Sequence, residues 1–90
     1  MTKSHELNVK QISGEARTLY DKLLDLHDRL REIVTDEEDW IESVPYIKRF
    51  GDKYEDDEES VVRLNEALEA VEEAVHKMLE AVEFIDNVLE

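Results

Sequence analysis

The sequence predicts an all-α protein: an antiparallel hairpin of two long helices with one or two short connector helices, forming a dimeric helical bundle. Three observations predict it. Val61, Leu68, Val75, Val82 and Leu89 recur every seven residues, and Leu64, Val71, Met78 and Ile85 recur three places later, so nine apolar side chains share one stripe of a helix. The N-terminal third repeats the pattern, with Val9, Ala16, Leu23 and Leu30 in one row and Ile12, Leu19, Leu26 and Ile33 in another. Between the two runs lie the chain's only proline, Pro45, and one of its two glycines, Gly51, so the chain can turn there and nowhere else cheaply.

Ninety residues make one small domain, 1–90. The first long helix is expected from about residue 4 to 34, with Ser4 as its N-cap and Tyr20, His27 and Val34 along one margin of its stripe. Gly14 falls opposite the stripe, where it costs about 1 kcal/mol against alanine. Asp25 and Arg29 have the spacing of a helical ion pair, and Glu15 and Arg17 add opposite charges to the polar face. The connector is expected over residues 36–56. Thr35-x-x-Glu38 has capping-box spacing and predicts a short helix from about Asp36 to Ser43. Pro45 suits the start of a further turn carrying Tyr46, Ile47 and Phe50, with Gly51 as its C-terminal stop. Asp56 or Asp57 would then cap the second long helix, residues 57–90.

That second helix has more apolar surface than one partner can cover. Ala67, Ala74, Ala81 and Val88 flank its stripe, and Ala70, Leu79 and Phe84 widen it further. One facing helix covers roughly a third of the circumference. A second copy of the chain, related by a twofold axis, is the economical cover, and a homodimer is expected.

Charge is distributed unevenly. Residues 1–35 carry six basic and six acidic side chains; residues 36–60 carry three and eleven; residues 61–90 carry two and eight. The whole formal charge of −14 therefore lies in the last two thirds. Such a surface repels nucleic acid and anionic membranes and attracts basic protein surfaces. Acidity of this kind also suits a halophilic surface adaptation. There is no cysteine, which removes disulfides, thiolate metal sites and thiol catalysis, and suits a reducing cytoplasm. No signal peptide or membrane span is read, and cytoplasmic localisation is expected.

The connector collects four of the six aromatic residues, Trp40, Tyr46, Phe50 and Tyr54, between the acidic runs Asp36-Glu37-Glu38-Asp39 and Glu55-Asp56-Asp57-Glu58-Glu59. Aromatic anchors inside a charged rim are the composition of interface hot spots, so these thirteen residues form the expected partner-binding site. The same aromatics could instead plug the end of the bundle.

Three constellations bear on chemistry. Glu73-x-x-His76 has the spacing of carboxylate-bridged di-iron bundles but points away from the stripe. Glu69-x-x-Glu72 and Glu83-x-x-Asp86 have the letters with which all-α nucleoside-triphosphate pyrophosphohydrolases hold magnesium, a family this chain resembles in length and helix content. In that family the two pairs sit on separate helices; here both lie on one. His5, His27 and His76 are scattered, and no glycine-rich phosphate loop is present. In topology the chain also resembles the helical hairpins of type VII secretion. Their Trp-x-Gly turn is here Trp40-Ile41-Glu42, and the nearest match to their C-terminal Tyr-x-x-x-Asp/Glu signal is Phe84 with Val88.

The expected function is accordingly a non-enzymatic acidic module with no catalytic residues, cofactor or metal. It would bind a basic surface on a partner protein, in the sharper form as an inhibitor mimicking nucleic acid. The alternatives are a pyrophosphohydrolase-like enzyme and a type VII-secreted hairpin.

Overall fold

The computed structural model describes residues 1–45 and 51–90, the side chains of Asp52 and Lys53 excepted. It is all-helical: α1 runs Lys3–Ser43 and α2 runs Asp52–Leu89, and the two pack side by side as a hairpin. The resulting rod measures 70 × 15 × 14 Å, of which the 41 residues of α1 span about 60 Å at about 1.5 Å each.

The helix ends differ from the sequence expectation. Thr2, not Ser4, caps α1, its hydroxyl accepting from the His5 amide at 3.2 Å. No separate helix starts at Asp36: α1 runs through Thr35 and Asp36 to Ser43. A capping box offers side-chain partners only to amides that lack helical ones, and here the preceding turn supplies them. Pro45 does stop the helix. A residue before proline is pushed out of the helical region, and Val44 has φ −66° and ψ 127°. Ser43 Oγ donates to the Trp40 carbonyl at 2.7 Å, and the Val44 amide donates to the Ile41 carbonyl.

Gly51, expected to end a helix, begins one. It is the N-cap of α2, and its carbonyl accepts from the Tyr54 and Glu55 amides. Asp56 and Asp57 consequently lie inside α2 rather than capping it. Acidic residues in the opening turns suit the positive end of the helix dipole, which lets the helix begin five residues early. The expected turn carrying Tyr46, Ile47 and Phe50 lies outside the described residues.

The α2 stripe faces α1 as the heptads require, with Val82 buried and Val61, Leu64, Leu68, Val71, Val75, Met78 and Ile85 half-buried. On α1 the buried stripe is rotated by one row. Val9, Ala16, Leu23 and Leu30 face α2, but their companions are Ser13, Tyr20, His27, Val34 and Ile41. The Ile12, Leu19, Leu26 and Ile33 row remains 51, 53, 48 and 50% exposed. α1 carries three adjacent rows able to pack, and one partner helix covers two. Gly14 sits on the exposed back of α1, where a Cβ would meet no atom within 4 Å.

Candidate interaction surfaces

Cross-helix polar contacts fix the register and define one flank of the rod. Arg17 donates to Asp86, and Asn65 donates to Glu38 at 3.2 Å. The two pairs lie three heptads apart on both helices (Arg17 to Glu38, Asn65 to Asp86), so the register holds along the rod. Ser13 Oγ donates to the second Asp86 oxygen at 2.7 Å. His27 Nε2 lies 3.0 Å from Glu72 Oε1, and its Nδ1 lies 3.5 Å from Asp28. The hydrogen bond that His27 donates to the Glu72 carboxylate raises its pKa above 6.5; partial burial opposes this and Asp28 assists it. These pairs explain the rotation of the α1 stripe, because packing through Ser13 and His27 brings each polar side chain to a carboxylate.

With these pairs on one flank, the rows on the other side of the seam share the opposite flank. There the exposed Ile12, Leu19, Leu26 and Ile33 row of α1 runs beside the Ala67, Ala74, Ala81 and Val88 row of α2. The register of the Arg17–Asp86 and Glu38–Asn65 pairs sets Leu26 level with Lys77 and Ile33 level with Ala70, so that Ala74 and Ala67, about 4.5 Å along the rod, are the nearest members of the facing row. Leu26, Ile33 and Leu30 line an open apolar groove there with Val71 and Arg29. The sequence reading placed the α1 row in the core. What separated core from surface was the row on the far side of Leu23 and Leu30, where Ser13 and His27 meet carboxylates of the other helix.

From Val61 onward the acidic side chains of α2 keep off this flank. The eight acids there occupy the three heptad rows turned toward the polar flank and the back: Glu72 and Asp86; Glu69, Glu83 and Glu90; Glu66, Glu73 and Glu80. The row next to the alanines carries Arg63, Ala70, Lys77 and Phe84, which includes both basic residues of the segment.

At the closed end of the hairpin the two acidic runs come together. Asp36, Glu37, Trp40 and Asp57 line one open hollow, with Trp40 42% exposed. Asp36, Glu38, Asp39, Glu55, Asp56, Glu58 and Glu59 are exposed around it, while Glu37, Tyr54 and Asp57 are half-buried. Some of this charge is locally matched: Glu59 pairs with Arg63 at 2.7 Å, and Glu38 accepts from Asn65. The last turn of α1 has no basic residue, so the negative end of its dipole adds to the field. Tyr46 and Phe50, also expected at this site, lie outside the described residues.

The residues weighed for chemistry are dispersed or otherwise engaged. Asp86 is taken by Ser13 and Arg17, and Glu72 by His27, while Glu69, Glu83, Glu73 and His76 are exposed. Among the described residues no three His, Asp or Glu side chains are grouped to hold a metal ion. No described helix is long and apolar enough to cross a membrane. The chain matches no protein family, no curated protein and no solved structure.

Proposed function

We propose that this chain is a non-enzymatic, acidic helical interaction module of the cytoplasm, working as a homodimer, whose closed end engages a basic surface on a partner protein. The observation that carries this reading is the meeting of both acidic runs around the half-exposed Trp40, beyond an α1 terminus that has no basic residue of its own. Like charges crowded at one end of a rod raise the free energy of the unbound state. A cationic partner relieves that repulsion, and Trp40 supplies an apolar anchor within the charged rim.

The sharper form of the proposal is mimicry of nucleic acid. Glu59, Glu66, Glu73 and Glu80 recur every seven residues on the outer face of α2, about 10.5 Å apart. The neighbouring rows add carboxylates between them. A rigid line of negative charge can occupy the groove in which a basic protein holds a phosphate backbone, which makes the module an inhibitor of such a protein.

The test is capture from a lysate of the native host on the immobilised chain, followed by affinity measurements on the purified retained protein. A basic protein is expected, with affinity falling tenfold or more between roughly 50 and 200 mM salt. Asp39→Asn/Asp57→Asn/Glu58→Gln should weaken it, and DNA or RNA should compete if the mimic form is right. Retention of no basic protein, or binding indifferent to salt, refutes the reading.

A further inference from the structure

We propose that a second copy of this chain covers the apolar flank, with the twofold axis running along the rod. The Ile12, Leu19, Leu26 and Ile33 row of each copy then lies over the alanine row of the other. This rests on the homodimeric reading above and gives it a face and a geometry.

Area is the first ground. The chain exposes 7037 Å², against roughly 5,500 Å² for a compact monomer of its mass. Among the described residues no large side chain is fully buried. Ile12, Leu19, Leu26, Ile33 and Val88 are each 48–56% exposed, a continuous apolar line along the rod of the kind that a standard interface of ~800 Å² per partner covers.

Shape is the second. One edge of the flank is a row of large branched side chains and the other a row of three alanines ending in Val88, staggered by about three residues. A twofold axis in the interface and along the rod turns the second copy so that each large row faces a small one, as interdigitated packing requires. An axis across the rod would set large on large and leave alanine on alanine. The first arrangement makes Ala74 of one copy the nearest small residue to Leu26 of the other.

Charge is the third. It selects the face and not the direction of the axis. Two chains of charge −14 repel least where the contact itself holds few carboxylates, although an axis along the rod sets the two acidic closed ends side by side. On α2 the rows forming and bordering this flank hold no acid from Val61 onward, and both basic residues of that segment, Arg63 and Lys77, stand at its rim. On α1 the bordering row carries Lys22 and Arg29 with Glu15 and Asp36, so neither sign dominates there.

Two measurements decide it. Sedimentation equilibrium at micromolar concentration should give twice 10.6 kDa for the natural chain and a single-chain mass for Leu19→Glu/Leu26→Glu. Helical circular dichroism should survive in that variant, since both positions are half-exposed in the single hairpin. A monomeric natural chain overturns the proposal, and so does a variant that remains dimeric. The second measurement needs no disruptive change. The chain has no cysteine, so Leu26→Cys and Ala74→Cys, made as separate variants and mixed, should give an oxidised dimer that neither gives alone. Strong cross-linking of Leu26→Cys by itself, or none in the mixture, overturns the geometry. Asp39→Asn/Asp57→Asn/Glu58→Gln should keep the dimer mass while losing the basic partner, so failure of the acidic site and failure of this face are separable.

Discussion

Replacing Asp86 by alanine tests the polar pairs that set the register. Asp86 accepts from Ser13 Oγ at 2.7 Å through one oxygen and from Arg17 through the other. Ser13 is only 6% exposed, so its hydroxyl has no easy replacement in solvent. Hydrogen bonds to a charged group contribute about 1.5–3 kcal/mol, and stranding a buried donor costs ~1–3 kcal/mol. The Arg17 pair is largely exposed and contributes roughly 0–1 kcal/mol. Asp86→Ala should therefore destabilise the chain by about 2–3 kcal/mol, a fall of roughly 10–20 °C in a domain this size. Ser13→Ala removes the donor as well as its need, and should cost about 1 kcal/mol or less. The double variant should then lose at least ~1 kcal/mol less than the sum of the single losses. Urea unfolding followed by circular dichroism, at one fixed protein concentration because a dimer's stability depends on it, measures all three. A loss under ~0.5 kcal/mol for Asp86→Ala, or strict additivity, refutes the assigned role of these pairs.

Other outcomes follow from single side chains. His27 should titrate above 6.5 by NMR and return toward it in Glu72→Gln, because Glu72 is the main cause of the rise. A raised histidine stabilises the fold in its charged form, so this contribution is full below pH 6.5 and is lost as pH climbs through the higher folded value. His27→Gln should flatten that dependence. Gly14→Ala should raise stability by about 1 kcal/mol, since the added methyl meets nothing within 4 Å and helix propensity improves. Trp40→Ala should cost ~1–2 kcal/mol rather than the ~3–5 of a buried tryptophan, because 42% of it is exposed, while partner binding drops at least tenfold.

How far the letters carry can be judged from particular elements. The α2 seam was readable because its nine-residue stripe has a single apolar centre, and every stripe member from Val61 to Leu89 is buried or half-buried. The acidic end was readable as composition, although its geometry needed the hairpin to bring Asp57 beside Asp36 and Trp40. The ends of α1 and α2 were less readable. Thr35 and Gly51 carry local signals whose use depends on whether neighbouring turns already satisfy the same backbone groups.

The sequence by itself determined two long helices, a turn at Pro45 and a charge confined to residues 36–90. Those properties are local: periodicity, backbone restriction and formal charge need no knowledge of what lies opposite. Which two of the three candidate rows of α1 would be covered was decided only by the tertiary structure. Ser13 and His27 find carboxylates across the seam, and the Ile12, Leu19, Leu26 and Ile33 row has no equivalent demand for a particular neighbour. A polar group entering a partly buried seam needs a specific partner at a specific level, whereas apolar surface only needs cover, so the polar pairs set the rotation and the apolar row was left outside.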